Sequence, residues 1–284
     1  MLKTPWRWLF PRLQRALPAH HGNPLLAAMD RMATVFHALY ENGNYDPASN
    51  GEAWLLNRLA STAPQVIFDV GANRGDYARL ALAACTQARL YAFEPMPTVF
   101  QQLACSLGRE PRAEIFQLAL ADRNGELNFY FDPSNTGNTS AIAGVQDSVH
   151  DLTTVECLPA QAQRLDDFCS EHSIASIHLL KIDVEGFEAS VLRGGDTMIS
   201  EGRVDCIQFE YGKANLFSRF FVHDYMRDYG ANYLIGKLYP RGICWFGRYS
   251  ASLDDLMGPN LVMVKRERRD LIQLLSESGA ALPE

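Results

Sequence analysis

Four short segments hold the residues whose types and spacing suit chemistry. The first, Val66-Ile67-Phe68-Asp69-Val70-Gly71-Ala72-Asn73-Arg74-Gly75, carries an apolar stretch into a turn with glycines at 71 and 75. Glycine lets a backbone turn sharply and be approached closely, and free N–H groups at the start of a following helix can face the crevice above a sheet. A dinucleotide site needs G-x-G-x-x-G to seat its pyrophosphate, whereas this chain has G-A-N-R-G behind an aspartate. That pattern suits S-adenosylmethionine, whose cationic amino acid end a carboxylate and backbone groups can hold. Asp69, Gly71, Asn73 and Gly75 are the expected cradle.

The second segment, Ala88-Arg89-Leu90-Tyr91-Ala92-Phe93, ends in Glu94-Pro95. Proline stops a strand, and an acid at the next strand end, about 20 residues on, is where ribose hydroxyls are accepted. Glu94 is assigned to the ribose, with Pro95 beside it. Asp122 follows Leu118-Ala119-Leu120-Ala121. It either accepts from an exocyclic adenine amine or serves the turn before Asn124-Gly125. Phe93 and Leu120 either flank the ring or belong to the core.

The third segment is Leu179-Leu180-Lys181-Ile182-Asp183-Val184-Glu185-Gly186, and the fourth is Cys206-Ile207-Gln208-Phe209-Glu210. If a methyl group from S-adenosylmethionine is to pass to an alcohol, the acceptor must be aligned and lose its proton, so a base or a metal near the methyl group is expected. Asp183 and Glu185 are candidates for that role, and Lys181 shares Asp183's face of a strand. Glu210 could share a Mg²⁺ ion with Asp183, or pair with Lys181 or Lys213. Of seven histidines, His223 is the best-placed general-base candidate, against the reading of a lone surface histidine.

These residues need a frame that brings strand ends together. Apolar runs alternate with helical periodicity: helices over 51–60, 76–84, 97–106, 165–172, 187–199 and near 219–229, and strands over 65–70, 88–94, 113–119, 177–183, 204–210, 231–239 and 260–265. The order predicts an α/β fold with a mainly parallel seven-stranded sheet, helices on both faces, and a β-rich insertion near 125–158. Parallel connections put Asp69, Glu94, Asp122, Asp183 and Glu210 on one edge. Residues 132–150 are polar and long for a loop, and are read as a lid on the acceptor side.

D-V-G-A-N-x-G at 69–75, F-E-P at 93–95, L-D-D-F at 165–168 and K-I-D-V-E-G-F-E with V-L-x-G over 181–194 together resemble the FkbM-type methyltransferases. The resemblance covers roughly residues 45–265. It implies a Rossmann-like class I methyltransferase fold, S-adenosylmethionine as cofactor, and an acceptor class that ranges from sugars to polyketide hydroxyls. The resulting expectation is O-methylation of a saccharide, glycan, glycolipid or similar hydroxylated product. Two rivals are an NAD-dependent sugar-modifying enzyme and a non-catalytic cofactor-binding scaffold. The missing G-x-G-x-x-G, and the expected absence of any Tyr-x-x-x-Lys pair, weigh against the first; the full set of strand-end carboxylates weighs against the second.

The chain of 284 residues is 47% hydrophobic, enough for one α/β core, and its net charge of −7 argues against a general nucleic-acid partner. Six cysteines form no C-x-x-C pair and read as reduced thiols of a cytoplasmic protein. Residues 1–21 differ: Lys3, Arg7, Arg12 and Arg15 interleave with Trp6, Trp8, Leu9 and Phe10, and no acid precedes Asp30. This segment is either a weak anchor at the inner membrane face, a partner-docking segment or a loose terminus. Leu25, Met29, Met32, Phe36 and Leu39 then mark an amphipathic helix suited to packing on the domain or on a second subunit in a homo-oligomer. The expected division is 1–50, a methyltransferase domain at 51–270, and a tail at 271–284.

Overall fold

The computed structural model describes residues 9–150, 152, 154–258 and 260–277. Lys3, Trp6, Arg7 and Trp8 lie outside them. The chain divides into two units, Met1–Gly43 and Asn44–Glu284. The first contains α1 (Phe10–Ala19) and α2 (Pro24–Tyr40). Asn23 caps α2 by accepting from the Leu25 and Leu26 amides, and Pro24 opens it with its preset φ. Leu25, Met29, Met32, Phe36 and Leu39 form the expected stripe and are exposed. No helix among the described residues is long and apolar enough to cross a membrane.

The second unit holds strands β1 (Val66–Val70), β2 (Arg89–Phe93), β3 (Ala113–Phe116), β4 (Ala119–Ala121), β5 (Gly125–Asp132), β6 (Asn135–Ser140), β7 (Glu156–Arg164), β8 (Ile177–Ile182), β9 (Val204–Glu210), β10 (Tyr233–Tyr239), β11 (Gly242–Trp245) and β12 (Asn260–Lys265). Its helices are α3 (Glu52–Ala60), α4 (Asp76–Ala84), α5 (Pro97–Leu107), α6 (Val145–Val149), α7 (Leu165–Glu171), α8 (Glu188–Gly194), α9 (Asp196–Ser200), α10 (Asn215–Ser218), α11 (Val222–Tyr229) and α12 (Arg269–Leu275). The main sheet runs β11-β10-β12-β9-β8-β1-β2-β3. β3, β2, β1, β8 and β9 are parallel, and β12, β10 and β11 add antiparallel edges. This is the expected Rossmann-like class I architecture with one strand more than predicted. The extra strand, β11, is a short return of the β10 hairpin, too brief for its periodicity to show.

Alternation along the strands builds two core layers. Phe68, Val70, Leu180, Ile182, Ile207 and Phe209 face α7, α8 and α11, while Ile67, Leu90, Leu179, Cys206 and Val262 face α3, α4 and α12. The second unit extends beyond both expected boundaries: it begins at Asn44 rather than at 51, and Leu271, Ile272 and Leu275 of α12 are core residues rather than a tail.

The predicted strand 113–119 is broken. β3 stays in the main sheet, while β4 joins a four-stranded sheet, β4-β7-β5-β6, over a third core around Met96, Val99, Leu127 and Phe129. The insertion is thus β-rich as expected, and residues 132–150 are not an open loop: they hold β6 and α6. Ser140 Oγ donates to the Glu185 carbonyl (2.7 Å), and Gln146 Nε2 donates to the Asn138 carbonyl (2.9 Å).

At the strand ends, Asp183 N donates to the Val70 carbonyl (2.9 Å), which brings the turn after β8 onto the turn after β1. Gly71 sits there at φ +81°, and a Cβ would collide with the Asp183 carbonyl oxygen. Its glycine is required by chain-to-chain approach, not only by ligand access. Gly71→Ala is expected to lower the unfolding free energy by about 2–4 kcal/mol, combining left-handed strain with overpacking. An unchanged midpoint in denaturant titration would return the glycine's role to the ligand alone.

Candidate functional site

The crevice lies at the C-terminal ends of β1, β2, β8 and β9. A compartment of about 200 Å³, lined by Glu94, Pro95, Phe129, Thr139, Glu185 and Glu210 among others, adjoins one of about 410 Å³ lined by Glu52, Asp69, Arg74, Tyr77 and Lys181. Tyr45, Gly71, Asn73 and Asp183 belong to both. The structure thus assembles Asp69, Gly71, Asn73, Glu94, Pro95, Lys181, Asp183, Glu185 and Glu210 as the strand topology predicts. Acids far outnumber Lys181 and Arg74 on these walls, so the crevice favours a cation.

Lys181 organises the larger compartment. Register places Asp69, Lys181 and Gln208 side by side on β1, β8 and β9, a polar row across the sheet face beneath α3 and α4. Lys181 Nζ donates to Asp183 Oδ2 (3.0 Å), lies 3.4 Å from Glu52 Oε1, and stands 5.5 Å above the Tyr77 ring. Burial opposes its charge, yet Asp183 and Glu52 outweigh burial and raise its pKa. Gln208 Nε2 donates to Glu52 Oε1 (2.5 Å) and to Asn260 Oδ1 (2.9 Å), and Tyr77 OH donates to Gln208 Oε1 (3.0 Å). Asp69 is 1% exposed, and its Oδ2 has no hydrogen-bond partner among the described residues. Burial pushes its carboxyl up to about 7 despite Lys181.

Glu94 joins the turn to β2. Its Oε2 accepts from the Asn73 amide (3.1 Å) and its Oε1 from the Met96 amide (2.9 Å). Burial nonetheless pushes it up to about 7. The N–H groups expected to face the crevice are mostly spent: Gly71 and Ala72 donate to the Phe93 carbonyl, Asn73 to Glu94, and Gly75 to Ala72. Gly75, at φ +86°, packs against Leu103 and Leu107 of α5. A pyrophosphate would find few free donors here and several carboxylates.

Several expectations are corrected. Asp122 follows β4 into the second sheet and is not a crevice wall; its amide donates to Ser190 Oγ (3.4 Å). Phe93 and Leu120 are core residues, 0% and 2% exposed. His223 lies on α11, its side chain 56% exposed and its ring 4.9 Å from that of Tyr249, away from the crevice walls. Nothing in the structure supports Mg²⁺ at Asp183 and Glu210: Asp183 Oδ2 accepts from Lys181, and burial, with the Glu185 and Asp183 charges, raises Glu210 well above the usual carboxylate range. No group of three or more His, Cys, Asp and Glu side chains among the described residues is arranged to hold a metal. Tyr233 and Lys237 do have Tyr-x-x-x-Lys spacing, but on β10, where Tyr233 OH donates to the Val204 carbonyl (2.8 Å) and Lys237 lies 4.0 Å from Asp255.

Sequence reasoning missed Glu52, Tyr77, Gln208 and Tyr45, of which only Gln208 left a signal, as a polar residue inside an apolar strand; Thr139 and His150 fall within residues 132–150, read as an acceptor-side lid, but were not singled out. His150 Nε2 lies 3.1 Å from Glu185 Oε2.

Residues 69–233 match the family described as the Methyltransferase FkbM domain. The chain is 29% identical over 188 residues to 2-O-methyltransferase NoeI of Sinorhizobium fredii, covering 63% of this chain and 76% of that protein. It is 27% identical over 147 residues to hexuronic acid methyltransferase AglP of Haloferax volcanii, covering 51% and 56%. It is 32% identical over 152 residues to 31-O-demethyl-FK506 methyltransferase FkbM of Streptomyces tacrolimicus, covering 45% and 58%.

The turn after β8 supplies a pH test. Glu188 Oε1 accepts from the Val184 (3.2 Å) and Gly186 (3.1 Å) amides, while burial pushes its carboxyl up to about 8. The native state then keeps this proton up to about pH 8, whereas the unfolded chain releases it near its ordinary value. Between those values the native state binds more protons, so stability falls as pH rises. Glu188→Gln is expected to match wild type near pH 5 and exceed it at pH 9 by on the order of 2–4 kcal/mol in chemical denaturation. Parallel curves at every pH would show an ionised native Glu188.

Proposed function

Because this chain belongs to the FkbM methyltransferase family, we propose that it transfers the methyl group of S-adenosylmethionine to a hydroxyl of a saccharide or similar natural product. The observation that carries the reading is the acidic crevice at the β1 and β2 ends, where Asp69 has an unpartnered buried oxygen and Glu94 bridges two turns. S-adenosylmethionine would bring an activated methyl group on a sulfonium, a cation suited to these walls. Asp69, Gly71 and Asn73 would hold its amino acid end and Glu94 its ribose. The engaged amides of the glycine turn favour this ligand over a dinucleotide.

The acceptor side is read from the second sheet. Thr139 of β6 and Phe129 of β5 line the crevice together with Glu185 and Tyr45, which offers polar contacts and one apolar face to a hydroxylated ring. The relatives NoeI, a 2-O-methyltransferase, and AglP, a hexuronic acid methyltransferase, support this acceptor class.

The test incubates the protein with methyl-labelled S-adenosylmethionine and a panel of hexuronic acids, neutral methyl glycosides and glycolipids. Label in one acceptor, with mass spectrometry locating one added methylene on an oxygen, is the expected result. No transfer to any hydroxyl would overturn the reading.

Cofactor binding gives a second expectation. Glu94→Ala should weaken S-adenosylmethionine binding by about 1.5–3 kcal/mol in calorimetry. In the wild type, affinity should fall as pH drops through about 7, because Asp69 and Glu94 there gain protons and lose the charge that attracts the cation. Equal affinity at pH 8.5 and 5.5 would remove both groups from the cofactor site.

A further inference from the structure

We infer that His150 positions Glu185 as the acceptor of the substrate hydroxyl's proton, an assignment that rests on the methyltransferase reading. Glu185 is a crevice wall on the turn after β8. Its backbone is in the left-handed region (φ 52°), and Ser140 Oγ holds its carbonyl (2.7 Å). The turn, the β6 strand and α6 therefore fix where its side chain starts. His150, just past α6, fixes where it ends: Nε2 donates to Glu185 Oε2 across 3.1 Å, with both side chains under one-fifth exposed. A carboxylate held by one oxygen keeps its other oxygen for an incoming hydroxyl, and a donor to a charged acceptor is among the stronger hydrogen bonds.

The other groups at the crevice are less suited. Asp183 neutralises the buried Lys181 ammonium through Oδ2, so proton uptake there would remove one of the two carboxylates that cation is paired with. Burial, together with the Glu185 and Asp183 charges, raises Glu210 well above the usual carboxylate range, which disfavours its ionised form. His223 is on the surface. Glu185 alone of these combines a place on the wall, a carbonyl held by Ser140 and a histidine ring behind its carboxylate.

In the step that follows, the acceptor oxygen forms the new C–O bond, and its proton passes to the second oxygen of Glu185. The electron pair of the broken C–S bond stays on sulfur, which becomes a neutral thioether. The proton then leaves Glu185 for solvent. His150 touches neither reactant and acts only through the orientation it gives Glu185.

The test measures kcat and KM for the acceptor that takes label in the panel, S-adenosylmethionine Kd by calorimetry, and thermal midpoints. Glu185→Gln should cut kcat by about 10²-fold or more, the scale for losing a placed base. His150→Ala should cut kcat by about tenfold with acceptor KM, cofactor Kd and melting temperature near wild type. His150→Gln, which keeps an N–H donor, should recover most of that loss, and His223→Ala should match wild type. Wild-type kcat in His150→Ala overturns the inference while leaving the methyltransferase reading intact. A loss that tracks a lower melting temperature or weaker cofactor binding also overturns it, because His150 would then be only a latch between α6 and the turn. Failure of the wild type to label any hydroxyl would remove both.

Discussion

The ammonium of Lys181, buried between β1 and β9, is the interaction on which the crevice depends. Without a cation there, Glu52, Asp69 and Asp183 would face one another in a region from which water is largely excluded, where like charges strongly resist joint ionisation. With it, α3 is tied to β8 through Glu52, and Gln208 and Asn260 extend the network to β9 and β12. Buried ion pairs often do no more than break even against apolar packing. Here the pairing acts beside a backbone bond: Asp183 N donates to the Val70 carbonyl, which sets the turn bearing Asp183 and Glu185 against the turn bearing Gly71 and Asn73, while Lys181 neutralises the Asp183 carboxylate at the crevice wall.

The same contact changes what the glycine motif means physically. In a dinucleotide site the glycine-rich turn leaves its amides for phosphate. Here those amides bond to Phe93 and Glu94, and the missing Cβ of Gly71 makes room for the Asp183 carbonyl. The turn has become a junction among β1, β2 and β8, and the charge it presents is carboxylate rather than N–H.

Much of the frame could be read from residue order, since each buried strand is an apolar run of five to seven residues closed by a turn signal, as in Val204–Glu210. The strand-end acids were legible for the same reason: parallel topology alone brings Asp69, Glu94, Asp183 and Glu210 to one edge. Asp122 failed because β4 turns into the second sheet after Phe116, which local periodicity does not reveal. His223 failed because position after a strand says nothing of which side a helix shows to solvent. Glu52 reaches the site from 156 residues before Gln208, and His150 reaches Glu185 through the insertion. No local pattern encodes such meetings.

On the proposed reading, the acidic walls explain binding but not rate. A sulfonium loses positive charge as its methyl group departs, so its attraction to Asp69, Glu94 and their neighbours is strongest before the reaction and weaker at the transition state. Interactions that favour the ground state do not speed the chemical step. The acceleration must come from groups whose contribution grows along the reaction: alignment of the acceptor oxygen, exclusion of water by the second sheet, and removal of a proton whose acidity rises as the C–O bond forms. The division of labour follows from position in the fold. The ends of β1 and β2 carry the binding charge, while the turn after β8, pinned by Ser140 and His150 from the inserted sheet and α6, carries the group that must respond to the reaction.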